Sequence, residues 1–509
     1  MAVSREQDLS SGPWWRELNR YHWFVLLVTA LGWLFDCLDQ QLFNLARVPA
    51  MKALLHSGQS VAEYGGYSTS IFLIGWATGG LTFGVLGDRI GRARTMMITI
   101  LIYSLCTGLS ALSVGFWDFA FYRFITGLGV GGEFAVGVAL VAEVMPDRAR
   151  PHALGLLQAL SAVGNVSAAL ISIGLGRLEQ TGTITNGWRW MFVVGAIPAF
   201  LSLLIWRRLK EPERWRALAT SEKHERKLGS YGELFGNPNW LPTAVAALLT
   251  VAVILVIAFY PNPALPKLPI NLGLALLALG LGLATVLRGP GSPWRRRAIV
   301  GVLLAFCGVV GLWGIGFFSI DLIRSVLQKK FESQGLTGPA LAGQLNLWAG
   351  ITSMMLNIGA FFGIYGFGSL SQKIGRKPTF ALAFILAWLS TAMVFYFLKE
   401  FSQVFWMIPI MGFCQLSIFG GYAIYFPELF PTSLRSTGTS FCYNVGRFVA
   451  ASGPTVLGLL TSRVYGGTAE PMRYAGLTMC SIFLVGLIVL PFAPETKGKP
   501  LPEGGNFVH

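Results

Sequence analysis

Two aspartates in the first long apolar stretch have the spacing of a proton-binding site. Asp36 and Asp39 lie three residues apart, which on a helix places both on one face, about a turn apart. Two carboxylates this close resist ionising together, so one of them is expected to hold a proton near neutral pH. Arg123, in a later apolar stretch, is a candidate counter-charge for one of these carboxylates. We predict that these three residues couple proton movement to function; a static buried ion pair is the alternative.

Two further ionisable residues interrupt apolar stretches, where a charge is costly unless it is paired or hydrated. Arg447 presents a planar guanidinium that suits a carboxylate, so we predict that it binds an anionic substrate. Its alternative role is structural, as the partner of Asp321 or another acid. Glu133, ten residues after Arg123, either lines a substrate cavity or bonds to a neighbouring helix.

Uncharged polar and aromatic residues of the apolar stretches complete the candidate substrate site, and each is either a ligand or a helix-packing residue. They are Gln40, Gln158, Asn165, Trp313, Asn357, Gln415, Tyr422, Tyr443 and Asn444. The six cysteines and five histidines have no metal-binding spacing, so no metal or cofactor is expected. The absence of a Walker sequence disfavours ATP-driven transport.

The composition indicates that membrane-spanning helices position these residues. Of the 509 residues, 53% are hydrophobic and 12% are charged, with a mean hydropathy of +0.58. Soluble domains carry about 25% charged residues, so a cytosolic enzyme, a secreted protein and a disordered protein are excluded. The alternation typical of membrane barrel strands is missing. The net charge of +15 is interpreted as topological, without a nucleic-acid partner.

Fourteen apolar runs are long enough to cross a bilayer as helices. With the N-terminus inside, 26 of the 39 Lys and Arg residues fall on the inner side, which predicts that both termini are cytoplasmic. The first run has no cleavage site after it and is predicted to be retained. The predicted spans are 22–46, 66–87, 95–114, 119–143, 153–176, 188–206, 242–260, 271–287, 298–320, 346–367, 379–398, 404–426, 437–460 and 472–492.

An internal repeat divides the chain into two halves. The motif at 84–93 recurs at 368–377, and the motif at 143–150 recurs at 428–435. Two motifs that recur with nearly the same offset predict a duplicated six-helix unit. The predicted organisation is a cytoplasmic N-terminus (1–21), a six-helix bundle (22–206), an amphipathic or solvated cytoplasmic linker (207–240), an inserted transmembrane hairpin (241–290), a second six-helix bundle (291–492) and a cytoplasmic tail (493–509).

These motifs resemble those of the major facilitator superfamily. The segment 84–94 resembles the loop motif between helices 2 and 3, although Gln372 replaces its acid in the second copy. Other segments resemble individual branches: 123–133 the fourth helix of sugar porters and aromatic-acid transporters, 35–39 the first helix of aromatic acid:proton symporters, 494–498 the sugar-porter tail, and 14–20 with the inserted hairpin the bacterial sialic acid:proton symporters.

The resemblance implies an all-α polytopic membrane protein with the major facilitator fold, built from two six-helix bundles and a two-helix insertion. It implies a transporter, not an enzyme, that works as a monomer in the plasma (inner) membrane by alternating access. The expected function is proton-coupled symport of a small organic anion: a monocarboxylate, an aromatic acid or an acidic sugar such as sialic acid. A neutral sugar:proton symporter and a non-transporting sensor are the alternatives.

The resemblance also implies a cytoplasmic gate in which charged residues hold the two halves together. Its acid is expected to face a helix N-terminus, where the helix dipole favours an anion. Glu143 is expected to pair with Arg150, and Glu428 with Arg435. The predicted gate residues are Asp88, Arg89, Arg92, Arg94, Glu143, Arg150, Arg376, Glu428 and Arg435.

Overall fold

Long helices make up the described part of the chain. The computed structural model describes residues 13–57, 59, 61–180, 183–201, 208–220, 228–236, 292–450, 460, 464–465, 467–468 and 470–502. Among these residues, nine helices are long and apolar enough to cross a membrane. The protein is therefore a multi-pass membrane protein, as the composition predicted.

The first half, described over residues 13–201, begins with a 3₁₀ turn at Trp14–Glu17 and a capping Asn19 that accepts a hydrogen bond from the amide of His22 (2.9 Å). Six helices follow in order. They are α1 (Arg20–Leu54), α2 (Val61–Ile90), α3 (Arg92–Ser110), α4 (Phe116–Val144), α5 (Arg150–Gln180) and α6 (Gly187–Gly195). Two short linker helices come next, α7 (Glu213–Thr220) and α8 (Tyr231–Phe235).

The second half, described from residue 292 onward, starts with Ser292 as a helix cap and Pro293 in the first turn, both favoured at helix N-termini. Its helices are α9 (Pro293–Val310), α10 (Phe317–Ser333), α11 (Gly338–Ile374), α12 (Arg376–Phe397), α13 (Phe401–Leu429), α14 (Arg435–Ala450), α15 (Pro471–Cys480) and α16 (Ile482–Val489).

Most of the observed helices begin before and end after the spans predicted from the sequence. A π-helical turn at Gly311–Gly316 joins α9 to α10, so the predicted span 298–320 belongs to a helical run that ends only at Ser333. The predicted spans 242–260 and 271–287, and with them the inserted hairpin, lie outside the described residues. The spans 188–206 and 437–460 are described only in part.

The two repeated loop motifs form the same turn. Gly91 and Gly375 both have positive φ, 114° and 101°, which a residue with a side chain rarely adopts. A glutamate caps the helix that follows each of them: Glu211 accepts from the amide of Arg92 (2.7 Å), and Glu495 from the amide of Arg376 (3.0 Å). The spacing between the two glutamates along the chain equals the spacing between the two arginines, so the caps belong to the repeat.

The helices of the two halves meet along two seams. Helix α5 packs on α11, and α2 packs on α14. Within the first half, α4 packs closely on α2 and α3, because glycines line its surface. A Cβ atom added at Gly129 would lie 2.7 Å from the amide nitrogen of Tyr103, so only glycine permits this approach.

The described part of the linker, residues 208–220 and 228–236, is docked onto the helices. Trp215 and Tyr231 are buried. The Trp215 indole donates to the Asp88 carbonyl (2.8 Å), and the Tyr231 hydroxyl donates to the Leu81 carbonyl (2.8 Å). These aromatic side chains bury apolar surface that a solvated linker would expose.

Candidate functional site

A cavity of about 110 Å³ lies between the two halves. Six of the predicted substrate-site residues line it, and they come from both halves: Gln40, Gln158, Asn165, Asn357, Tyr443 and Arg447. Residues that were not predicted complete the wall: Trp33, Cys37, Gln41, Asn44, Trp76, Ser161, Leu312, Ser353, Leu356, Ile364, Leu416 and Phe419. The described lining combines aromatic rings with amide side chains and a single arginine.

Arg447 enters the cavity wall between two aromatic rings. Its guanidinium carbon lies 3.9 Å from the centre of the Trp76 ring and 4.3 Å from that of Tyr443. Its Nη1 donates to the side-chain oxygen of Asn444 (3.1 Å), whereas Nε has no hydrogen-bond partner within the described chain. No described carboxylate forms an ion pair with Arg447, and the side chain of Asp321 is not described. The guanidinium therefore has donors to offer an anion.

Two amide side chains connect the halves across the cavity wall. The Asn165 side chain donates to that of Asn357 (3.1 Å), which in turn donates to the Ser353 carbonyl (2.8 Å). A substrate with hydroxyl or carbonyl groups can replace this amide–amide bond without leaving either amide unsatisfied.

Asp39 and Arg123 form a buried ion pair and do not line the cavity. Their Oδ2 and Nη1 atoms are 3.7 Å apart, and both side chains are fully buried. Thr107 donates to the other oxygen of Asp39 (2.8 Å). Arg123 also donates to Ser110 (2.8 Å) and Thr126 (3.1 Å). Its guanidinium lies within 6.0 Å of three aromatic ring centres, those of Phe43, Phe119 and Phe192.

Asp36 and Glu133 lie behind the cavity wall. Each side chain is only 1% exposed. Asp36 is within electrostatic reach of Glu133, Asp39 and Arg447. Asp36 and Asp39, which were predicted to share one face of the helix, therefore lie in different environments, since only Asp39 is paired with Arg123.

At the opposite end of the helices from Ser110 and Phe116, Asp88 joins the two halves. It forms an ion pair with Arg92 (2.9 Å) and accepts hydrogen bonds from the first amides of α14, at Ser436 (3.1 Å) and Thr437 (2.8 Å). The Thr437 hydroxyl adds a third bond (2.6 Å). An anion at a helix N-terminus is stabilised by the unpaired N–H groups and the helix dipole. We call this end of the molecule the network end.

Glu143 forms a second link between the halves at the network end. Its Oε1 atom lies 3.0 Å from Arg92 in its own half and 2.8 Å from Arg435 in the other half. The predicted pairing of Glu143 with Arg150 was wrong: Arg150 pairs with Asp147 and donates to the Ala142 carbonyl. Where the two halves approach each other, Arg435 reaches Glu143 and forms the ion pair that was predicted for Arg150.

In the second half, Glu428 pairs with Arg376 (2.9 Å) and accepts from the Thr496 hydroxyl (2.5 Å), so its predicted pairing with Arg435 was also wrong. The remaining predicted gate residues take smaller parts. Arg89 donates to the Leu228 carbonyl of the linker (3.2 Å). The Arg94 side chain is exposed.

Comparison with known proteins identifies the family. The family model described as "Major Facilitator Superfamily" matches residues 29–328, more than half of the chain. The chain belongs to the Major Facilitator Superfamily. This confirms the predicted membership, the all-helical fold class and a transporter rather than an enzyme. The protein handles a small molecule in a lipid bilayer.

Two relatives and one solved structure illustrate the similarity of this transporter to others. A probable 4-methylmuconolactone transporter of Cupriavidus pinatubonensis is 28% identical over 93% of this chain and 91% of its own. The sialic acid transporter NanX of Escherichia coli is 25% identical over 93% of this chain and 96% of its own. The proton:xylose symporter XylE of E. coli has the same fold, with a TM-score of 0.64. The match covers 94% of this chain and 98% of XylE at 17% identity.

Four predicted substrate-site residues of the transporter do not line the cavity. Gln415 donates to the Gly311 carbonyl (3.0 Å), and Asn444 donates to the Ser440 carbonyl (2.9 Å). Tyr422 bonds to the Leu304 carbonyl, and Glu133 lies behind the wall. The Trp313 side chain is not described.

Sequence reasoning missed Trp33, Trp76 and Glu211. Tryptophan gathers at the membrane interfaces, so a tryptophan near the middle of a span, such as Trp76, was a usable signal. The spacing from Glu211 to Glu495 was a second usable signal, because it equals that of the two loop motifs.

Proposed function

We propose that this transporter is a proton-coupled symporter of a small organic anion, with Arg447 as the anchor for the substrate carboxylate. The observation that carries the proposal is the position of Arg447 in the cavity wall, next to two aromatic rings and without an ion-pair partner in the described chain. A cationic side chain deep in a span is costly unless a counter-charge is near. Asp36 acts on Arg447 electrostatically but forms no ion pair with it in the described chain, so an anionic substrate would supply a counter-charge in direct contact.

The two rings beside Arg447 support a planar acid as the substrate. Trp76 and Tyr443 lie on the guanidinium within cation–π range. An aromatic or unsaturated carboxylate can extend this stack while its two oxygens bind the guanidinium fork. The relative named as a 4-methylmuconolactone transporter is consistent with a small ring-derived acid.

An acidic sugar is the second candidate, because several amides line the same cavity. Gln158, Asn165 and Asn357 offer donors and acceptors that match sugar hydroxyls. The relative named as a sialic acid transporter is consistent with this class. A neutral sugar would use the same amides but leave Arg447 without an anion.

The proposed cycle rocks the two six-helix halves around this cavity. We propose that the network end and both termini are cytoplasmic, that the protein works as a monomer in the plasma membrane, and that Asp88 and Glu143 lock the closed cytoplasmic gate. The gate must open to release substrate inside. The inserted hairpin at 241–290 has no assigned part in this cycle.

Asp39 is the proposed coupling acid. When a proton neutralises Asp39, Arg123 loses its ion pair but keeps its hydroxyl partners Ser110 and Thr126 and the surrounding aromatic rings. The cost of a buried, unpaired guanidinium is thereby reduced. A carboxyl group that can take up a proton without disrupting its neighbourhood suits a coupling site.

The test is transport into liposomes that hold the purified full-length protein. A proton gradient should drive accumulation of at least one of radiolabelled benzoate, nicotinate and N-acetylneuraminate. Asp39→Asn should abolish accumulation and spare counterflow, which needs no net proton movement. Glu332→Gln, the same kind of change at an exposed acid, is the control. Accumulation that survives in Asp39→Asn would remove this residue from coupling. Gradient-driven accumulation of a neutral sugar alone would overturn the anion proposal.

A further inference from the structure

Glu133 is a buried acid that no described side chain or backbone group satisfies. It is 1% exposed, and neither of its carboxyl oxygens has a hydrogen-bond partner within the described residues. Gly32 on α1 makes room for it, since a Cβ atom added there would lie 2.5 Å from Oε1 of Glu133. Burying an ionised carboxylate without partners costs several kcal/mol, so a neutral, protonated Glu133 is the favoured state.

Asp36 shares this neighbourhood. One of its oxygens, Oδ1, also has no hydrogen-bond partner in the described chain. The groups within electrostatic reach of Asp36 are Glu133 on α4, Asp39 on its own helix and Arg447 on α14. The Tyr103 hydroxyl on α3 and the Cys37 thiol are also near. Among the described groups, Arg447 is thus the one cation that acts on Asp36.

The charges balance only if the Asp36–Glu133 pair holds a proton. The Asp39–Arg123 ion pair is neutral as a unit. Of the remaining three groups, Arg447 carries one positive charge, and Asp36 and Glu133 would carry two negative charges. A proton on Glu133 leaves Asp36 as the counter-charge of Arg447. An anion that binds Arg447 then leaves Asp36 with no counter-charge of its own.

We propose that Asp36 and Glu133 form a second proton-binding site, separate from Asp39–Arg123, which takes up one proton when an anion binds Arg447. In the resting state Glu133 holds a proton and Asp36 is ionised. Anion binding at Arg447 raises the cost of the Asp36 charge, and a proton from the outer solution neutralises it. Release of the anion reverses the step. The uptake step rests on the anion proposed for Arg447, whereas the resting proton on Glu133 does not.

The resting proton can be tested without any ligand. Infrared spectra of the purified full-length protein at neutral pH should contain the C=O stretching band of a buried, protonated carboxyl group. Glu133→Gln should remove this band, whereas Asp39→Asn should leave it. If Glu133→Gln does not fold, Glu133→Asp should shift the band. A parent spectrum that Glu133 variants leave unchanged would overturn the proposal. Loss of the band on addition of sodium ions would assign a cation site and would also overturn it.

The uptake step is tested by counting the protons that accompany binding of benzoate. Calorimetry in buffers of different ionisation enthalpy should show that Asp36→Asn takes up about one proton fewer per benzoate bound than the parent, whatever Asp39 contributes to both proteins. Glu332→Gln should match the parent. Equal uptake by the parent and Asp36→Asn would contradict a substrate-driven site here. If benzoate, nicotinate and N-acetylneuraminate all fail to bind the parent, the anion proposal and this uptake step fail, and the infrared test still decides the Glu133 proton.

Discussion

The two loop motifs occupy equivalent places in the two halves, but they make different contacts with the opposite half. We call each of these contacts a joint. Asp88 reaches across to the N-terminus of α14. Gln372, its counterpart in the second motif, donates to the Arg148 carbonyl (2.9 Å) and accepts from Arg376 in its own half (3.1 Å). The charged joint therefore lies on one side of the molecule only.

The receiving helices differ as well. Ser436, which donates its amide to Asp88, corresponds to Pro151 in the first half, because the two are spaced like Glu428 and Glu143. Proline has no N–H to donate. The second side thus has neither the acid nor one of the two amide donors that Asp88 uses. We propose that one strong joint between the halves is enough for the gate, since a second equally strong joint would make opening more costly.

The largest expected effect is on Glu143. Glu143→Gln leaves Arg92 and Arg435 buried without their shared carboxylate, and breaking a buried pair in this way costs about 3 kcal/mol. We expect a marked fall in the melting temperature of the purified protein. Glu428→Gln is the matched change in the second half, where only Arg376 loses an ionic partner, and its fall should be smaller. Equal falls would remove the asymmetry between the halves.

The next effect concerns the Asp88 joint. Asp88→Asn keeps one acceptor but loses the charge that faces Arg92 and the α14 N-terminus. Loss of this charge should let the two halves separate more readily at the joint. With Ser436→Cys introduced as a probe, Asp88→Asn should therefore make the introduced thiol react with a maleimide about tenfold faster than when Asp88 is intact, corresponding to about 1.4 kcal/mol. Gln372→Ala in the same background is the control and should change the rate little. A control rate that rises as much would show that both joints hold the gate.

A smaller effect is expected when an acid is introduced at position 372, in the loop motif of the second half. Gln372→Glu alone should not slow the thiol reaction, because Pro151 provides no N–H for the new carboxylate. Gln372→Glu combined with Pro151→Ser provides both parts of the joint and should slow the reaction about two- to threefold, or roughly 0.5 kcal/mol. If Gln372→Glu alone had the full effect, the missing donor would not explain the asymmetry.

The sequence predicted the helices and the repeat better than the contacts between the halves. The offset of the repeat identifies equivalent residues, but it does not say which residues pair once the halves meet. Glu143 therefore pairs with Arg435 instead of Arg150. The lengths of the apolar runs likewise predicted spans but could not show that Glu133 lies behind the cavity wall, since this depends on the space left by Gly32.

The smallest effect concerns the caps of the two loop motifs. Burial raises the pKa of the Glu495 carboxyl, but the amides of Lys497, Arg376, Lys377 and Thr496 outweigh burial and hold this pKa below its usual value. The carboxylate thus contributes stability above the ordinary glutamate pKa of about 4.3, and this contribution is lost as the pH falls through the lowered pKa.

Glu495→Gln should therefore lower the melting temperature by about 1–2 °C near neutral pH. The difference from the parent should vanish in acid. Melting curves of both proteins across the acidic range measure it. A difference that persists unchanged at the acid end would mean that the charge of Glu495 does not matter to the cap.

Recognition of a carboxylate by Arg447 is the central claim, and paired binding of benzoate and benzamide tests it most directly. Arg447→Lys keeps the charge but loses the planar fork. By calorimetry, it should weaken benzoate binding about tenfold or more, near 1.4 kcal/mol, and Arg447→Gln should weaken it further. Benzamide should bind the parent poorly and lose little affinity in either variant. Equal losses for the acid and the amide would show that Arg447 supports the helix bundle instead, and the neutral sugar would become the better substrate class.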